Sequence, residues 1–251
     1  RSGAMKHPTL DELWEADPPP RGLFGDHAIA ALPPAARRYL RHAIDEDAPL
    51  ATAVRLRMHG EIKLKGWVPF EAEQVLRAER GFIWKARARM GLLPVRGADR
   101  LVDGAGEMDF RLFGVVPVMT AEGPEVTRSA AGRHQIESIW LPSALVGPEV
   151  AWTEEDLAHP HVQTRMADEE SDLRFTIDEE GRLEACAMER WGNPEGEAWH
   201  YAPFGGVVEE ERRFGAYRVP SKLRVGWHFG TERFESEGEF IRITVDEATF
   251  R

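Results

Sequence analysis

From Thr52 onward the chain alternates apolar and polar residues with a period of two. In AVRLRMHGEIKL, residues 53–64, Val54, Leu56, Met58, Ile62 and Leu64 fall on one side, and Arg55, Arg57, His59, Glu61 and Lys63 on the other. This alternation specifies a strand with one wet face. It recurs at Phe70, Ala72 and Leu76, then at Phe82, Trp84, Ala86, Ala88 and Met90. Residues 95–103 and 106–113 form a further pair joined through Gly104–Gly106, with Met108, Phe110 and Leu112 opposite Glu107, Asp109 and Arg111. Five successive strands without a long helix between them predict an antiparallel meander rather than a β-α-β sheet.

More strands follow at 160–168, 172–177, 182–190, 198–202, 207–214, 217–229 and 238–246. Asp178-Glu179-Glu180-Gly181 supplies a hairpin turn. Leu223, Val225, Trp227 and Phe229 share one face, as do Ile241, Ile243 and Val245. The prediction is one sheet of ten or eleven strands, which must curl because strand twist accumulates.

Between the two series the spacing turns helical, over about 126–141 within EVTRSAAGRHQIESIWLPSALV. Ser129, Gly132, Ile136, Ile139 and Trp140 fall on one side, flanked by Arg128 and Arg133, with Glu137 one turn after Arg133. Small residues at 129–132 let the first half lie close to a sheet, and Leu141-Pro142 redirects the chain. Two other helices are predicted. Thr9 caps a short one through Trp14. Another begins at Leu32-Pro33-Pro34, buries Ala36, Tyr39, Leu40 and Ala43, and leaves Arg37, Arg38 and Arg41 in solvent. Pro18-Pro19-Pro20 reads as an extended spacer. The expected organisation is an N-terminal arm over 1–31 and a single curved-sheet domain over 32–251 with its central helix. RSGA before Met5 reads as an expression scar. With Met5 as the native start, the chain has no signal peptide and is expected in the cytoplasm.

Composition narrows the function classes. The chain has 251 residues, 30% of them charged, and a net charge of −11. It has no basic arm and no C-x-x-C…H arrangement, so nucleic acid is not an expected partner. The single cysteine, Cys186, excludes an intrachain disulfide and a thiolate metal cluster, and its neighbours mark it as a buried thiol. No run approaches the roughly 20 apolar residues of a transmembrane span. No G-x-G-x-x-G or Walker sequence leads into a helix, so no cofactor is expected.

The central helix offers Arg128, Arg133, His134, Glu137 and Trp140. An arginine at a cavity edge can hold a carboxylate or phosphate through bidentate geometry, and Trp140 can line the apolar part. The alternative is an exposed Arg133–Glu137 pair and a core tryptophan. In EAWHYAPFGG, Trp199, His200, Tyr201 and Phe204 form a candidate pocket rim with His200 as a polar contact or proton carrier, or a plain sheet surface. Trp84 joins them as an apolar wall residue. His159 and His161, with Asp156, could share one metal whose third ligand would come from His200, His228 or an acid elsewhere, but histidines are common in polar loops and no metal is expected. The acids Asp168 to Glu170 and Glu209 to Glu211 read as solvated charge. No nucleophile elbow surrounds Ser143 or Ser221.

A strongly curved antiparallel sheet with helices in its concavity resembles the LolA/LolB lipoprotein-carrier fold, an unclosed barrel that shelters acyl chains. The pieces VRGADRLVDGAGEMDFRLFGVVPVM, TRSAAGRHQIESIWLPSALV, ERWGNPEG, HYAPFGGVVEEERRFGAYRVPSKLRVGWHFGTERF and FIRITVDEATF resemble a family of uncharacterised bacterial proteins across about 32–250. That resemblance implies no catalytic residues. Three functions remain open. The first is non-enzymatic binding of a hydrophobic or amphipathic small molecule, or a lipid, in the concavity. The second is an enzyme whose polar cavity mouth uses an arginine anion clamp with His/Glu acid–base chemistry. The third is a structural or protein-interaction module.

Overall fold

The computed structural model describes residues 7–17 and 21–251; the expected scar before Met5 and the Pro18–Pro20 spacer lie outside them. Thirteen strands form one antiparallel sheet among these residues. The first six, β1 (Ala53–Lys63), β2 (Trp67–Arg77), β3 (Gly81–Met90), β4 (Leu93–Val102), β5 (Ala105–Leu112) and β6 (Val116–Glu122), meander outward to one edge. The rest are β7 (Ala151–Asp156), β8 (His159–Met166), β9 (Glu169–Ile177), β10 (Leu183–Gly192), β11 (His200–Phe214), β12 (Tyr217–Trp227) and β13 (Glu239–Phe250). They meander inward from the other edge until β13 pairs with β1.

The helices are α1 (Leu10–Glu15), α2 (Asp26–Ile29), α3 (Pro34–Ala43) and α4 (Pro124–Ile136). The edge strands β6 and β7 do not pair, so the barrel is unclosed, and α4 is the link between them. Laid flat at about 4.8 Å per strand, the sheet would be roughly 58 Å wide. Yet α4 touches β3 to β6 on one side and β8 to β10 on the other. A helix is only about 10–12 Å across, so the two arms must curl toward each other around it.

The alternation in the sequence sorts the side chains as expected. Val54, Leu56, Phe70, Leu76, Phe82 and Trp84 are buried on the inner face. On the outer face Arg55 pairs with Glu73, Arg57 with Glu247 and His59 with Asp246. Helix α3 buries the expected Ala36, Tyr39, Leu40 and Ala43 in the inner core, with Tyr39 set edge-on to Phe175. Helix α1 has the predicted Thr9 cap in a full capping box. It packs on the outer face, where Leu13 meets Val75, Ile83 and Val102, and Arg77 donates to the Leu13 and Trp14 carbonyls.

Three expectations need correction. The sheet has thirteen strands, not ten or eleven, because β6 and β7 are edge strands whose side chains are mostly exposed, so they carry little alternation to read. The strands expected at 198–202 and 207–214 are one strand, β11, which begins only at His200. Gly205 and Gly206 do not break it; a side chain at Gly205 would run into the Cys186 carbonyl and the Phe229 ring. The α-helix also ends at Ile136, with Glu137–Trp140 and Pro142–Leu145 tightening into 3₁₀ turns before the chain reaches β7.

Candidate functional site

Between α4 and the inner face of the sheet lies a cavity of about 820 Å³. Its walls are mostly apolar: Met58 and Ile62 of β1, Phe70 of β2, Phe110 of β5, and Leu223 and Ile243 of β12 and β13 contribute. Strand alternation presents these residues, and α4 with the following turn closes the wall with Ser129, Arg133, Ile136, Glu137, Ile139 and Trp140. Exposed apolar side chains concentrate at the end of the sheet where the β1–β2, β3–β4 and β5–β6 hairpins turn: Leu64, Leu92, Leu93, Phe113 and Val115. The β3–β4 and β5–β6 tips are tied together where Phe113 N–H donates to the Pro94 carbonyl at 2.9 Å.

A polar cluster is set into this apolar wall. Arg133 donates from Nε to Glu137 Oε1 at 2.7 Å and from a terminal nitrogen to Asp99 Oδ2 at 2.6 Å. Gln74 Nε2 donates to the other Glu137 oxygen at 2.5 Å, while Gln74 Oε1 is buried without a partner. The guanidinium lies over the rings of Phe82 and Trp84, 4.6 and 5.2 Å from their centroids. Burial holds the Asp99 carboxyl above its ordinary range, with Arg133 opposing that shift. Burial also works against the Arg133 charge, but Glu137 and Asp99 outweigh it and stabilise the cation.

Beside this cluster, Arg190 of β10 also faces the cavity and is 9% exposed. It donates to the Ser129 carbonyl at 3.2 Å and to Ser129 Oγ at 3.3 Å. Its guanidinium lies 4.5 Å from the Phe204 centroid and 5.2 Å from that of Trp227. Gly132 makes room for it: a Cβ there would sit 3.1 Å from Arg190 Cγ.

The candidates from sequence separate into two groups. Arg133, Glu137, Trp140, Trp84 and Trp199 line the cavity. Trp140 is buried, with its indole N–H donating to the Pro220 carbonyl at 3.0 Å. Arg128 and Tyr201 meet outside the cavity: Arg128 Nε donates to Glu169 at 2.7 Å, Tyr201 OH donates to the other Glu169 oxygen at 2.7 Å, and the Arg128 guanidinium lies 4.0 Å from the Trp191 centroid. This latch fastens α4 to β9, β10 and β11, and Thr127 Oγ1 fastens it to β5 by accepting from Gly106 N–H at 2.9 Å. Glu169 is thus buried, not the solvated acid expected, because α4 brings Arg128 over it.

His200 is exposed, its Nδ1 3.0 Å from the Ala198 carbonyl, and takes no part in the cavity wall. The acid–base reading that joined it to Arg128, Arg133 and Glu137 therefore loses its histidine and one arginine. His159 pairs with Asp156 at 2.8 Å, while His161 approaches Asp172 and Glu155. Among the described residues no group of three or more His, Cys, Asp or Glu is placed to hold a metal. Phe229 lies beyond the end of β12 and packs edge-on against Phe234.

The residues that sequence reasoning missed are Gln74, Asp99 and Arg190. A signal was available, since the period of two places Gln74 between Ala72 and Leu76, Asp99 between Gly97 and Leu101, and Arg190 in line with Cys186 and Met188. Each is a polar residue in an inward register position. A shallow depression beside α3, lined by Arg37, Arg38, Arg41, His42 and Arg218, is basic, but its cations are largely engaged. Arg41 pairs with Asp26, His42 with Glu211, and Arg38 donates to the Leu157 carbonyl.

His134, next to Arg133 in α4, is buried and outside the cavity wall, with Nε2 3.0 Å from the Arg77 carbonyl and Nδ1 unpartnered. Burial pushes its pKa down from 6.5 to about 4. Below pH 6.5 the unfolded chain takes up a proton that the folded chain refuses, so stability falls between pH 6.5 and about 4. The loss from this group reaches roughly 3 kcal/mol. Asp99 acts in the opposite sense, because acid relieves a buried carboxylate. Urea unfolding at pH 7 and 4.5 should therefore show a smaller acid loss for His134→Gln than for the wild type; equal losses would contradict the assignment.

The fold is a curved antiparallel sheet, an unclosed barrel, with its principal cavity against the bridging helix. A family profile matches residues 22–236, and the chain belongs to that family, DUF6544, a family of unknown function. A search of curated proteins finds no match to the sequence. The chain is similar to an outer membrane lipoprotein-sorting protein domain from Vibrio parahaemolyticus at 7% identity, covering 79% of this chain and 85% of that one, with a TM-score of 0.43. It is also similar to a DUF1329 family protein from Desulfovibrio piger at 9% identity, covering 86% and 90%, and to a LolA superfamily protein from Nitrosomonas europaea at 6% identity, covering 86% and 92%; both have a TM-score of 0.43.

Proposed function

We propose that this protein binds an apolar or amphipathic small molecule, such as a lipid with an acyl chain, in the cavity between α4 and the sheet. The observation that carries the reading is the cavity itself: about 820 Å³, walled mainly by aliphatic and aromatic side chains. That volume is in the range of small-molecule sites, which combine apolar walls with a few placed polar groups. Binding in such a space removes apolar ligand surface from water at about 25 cal/mol per Å². The polar groups within the cavity give orientation, while the Arg128 latch holds the helical wall in place.

Native mass spectrometry after incubation with fatty acids and phospholipids is expected to show one retained ligand per chain. Absence of any retained apolar ligand would sink the reading. Ala86 lines the cavity from β3 and supplies a matched control. Ala86→Phe grows a ring into the space, so ligand retention should fall at least tenfold, at a stability cost of about 1–3 kcal/mol because Ala86 is buried among packed neighbours. Undiminished retention by that variant would place the ligand elsewhere.

A further inference from the structure

We propose that Arg190 is the headgroup contact of the cavity, holding the oxyanion, carboxylate or phosphate monoester, of a single-chain amphiphile. The inference rests on the reading of the cavity as an apolar ligand site and specifies the chemistry of its polar end.

The argument begins from unequal treatment of two neighbouring arginines. Arg133 has two carboxylates within 2.7 Å. Arg190 has no ion pair among the described residues, although it is the more deeply buried of the two. Its hydrogen bonds run only to the neutral Ser129, one to the carbonyl and one to the hydroxyl. A guanidinium carries five N–H groups in a rigid fork, so donors remain for another acceptor. A cation taken out of water is strongly disfavoured unless it gains a counter-charge. Here aromatic faces and a serine supply only part of that compensation. Burial, with the nearby Arg133 charge adding to it, pushes the Arg190 guanidinium down to about 10, a sign that the cation is under-compensated. Asp99 and Glu137 act on it from a distance, but Arg133 and Gln74 hold their hydrogen bonds.

The surroundings then select the kind of anion. Phe204 and Trp227 form the wall beside the guanidinium, and Leu223, Val225, Ile241 and Ile243 continue it along β12 and β13. A small free anion would leave that apolar surface uncovered. A molecule with an oxyanion on an apolar chain satisfies the fork and covers the wall together. Arg190 would thus be a ligand-binding residue that also sets ligand orientation, with the head at the α4 side and the chain along β12 and β13.

Displacement of an apolar fluorescent dye from the full chain tests this with four competitors: dodecanoic acid, dodecyl phosphate, dodecanol and inorganic phosphate. The wild type is expected to bind the acid or the phosphate monoester at least tenfold more tightly than the alcohol, and whichever is tighter identifies the headgroup. Arg190→Gln should reduce that preference to less than threefold by weakening the acid and the phosphate monoester far more than dodecanol. The wild-type ratio decides the matter alone should Arg190→Gln not fold, as judged by circular dichroism. Dodecanol binding as tightly as both oxyanions overturns the headgroup role but leaves the cavity reading standing. Failure of all three chain-bearing competitors to displace the dye overturns both. Inorganic phosphate competing as well as dodecyl phosphate also overturns the proposal, because an ion site needs no chain. So does equal weakening of alcohol and acid in Arg190→Gln, which would mark a purely structural arginine.

Discussion

Arg133→Met is expected to destabilise the protein by about 3–5 kcal/mol at pH 7–8. Methionine keeps much of the aliphatic stem, but it removes the guanidinium that lies over the Phe82 and Trp84 rings and that Asp99 and Glu137 share. Two carboxylates are then left beside an apolar cavity with Gln74 as a remaining donor to Glu137. Breaking a buried ionic group by deleting one partner costs more than the intact group ever contributed. The loss should shrink in acid, because burial already raises the Asp99 carboxyl and deleting Arg133 removes the largest opposing influence. Protonation of Asp99 then relieves the folded state. Combining the change with Asp99→Asn and Glu137→Gln should recover most of the stability at neutral pH. Urea unfolding at pH 7.5 and pH 5 reads both effects. A single variant that loses less than 1 kcal/mol at neutral pH would show that the cluster is solvated.

Trp140→Ala should cost a similar amount, about 3–5 kcal/mol. The indole is 3% exposed and lies where the segment after α4 meets β12. Its removal deletes a large apolar surface, widens the cavity it lines and leaves the Pro220 carbonyl without its N–H partner. Trp140→Phe separates these contributions. It keeps most of the apolar surface, so its cost should sit nearer the roughly 1–3 kcal/mol of an unpaired buried acceptor. Denaturant midpoints for the two variants give the comparison, and equal losses would assign the whole effect to the hydrogen bond.

Much of the scaffold was legible because a strand with one wet face writes its orientation into every second residue. Val54, Leu56 and Met58 against Arg55, Arg57 and His59 left little freedom for β1. Helix α3 was equally readable from Ala36, Tyr39, Leu40 and Ala43. Strands β6 and β7 were not, since at an edge neither face need be consistently apolar. The candidate site was half legible. Arg133, Glu137 and Trp140 were visible as one side of a helix, and the structure brings them to the cavity wall with Trp84 and Trp199. Arg128, His200 and Tyr201 fit a pocket rim equally well by sequence, but Arg128 and Tyr201 close on Glu169 and His200 points to solvent.

The sequence by itself determined a long antiparallel sheet, the inward face of nearly every strand, and the helical interruption that splits it into two meanders. Those follow from local periodicity, which acts over a few residues. The tertiary structure decided the rest. Pairing of β13 with β1 and the reach of α4 from edge to edge bring Gln74, Asp99, Arg133, Glu137 and Arg190 together, although they are spread over more than a hundred positions of the chain. Periodicity can say that a polar side chain points inward, but not which charge it will meet there. Because that meeting depends on the curl of the whole sheet, Arg133 finds two carboxylates and Arg190 finds none.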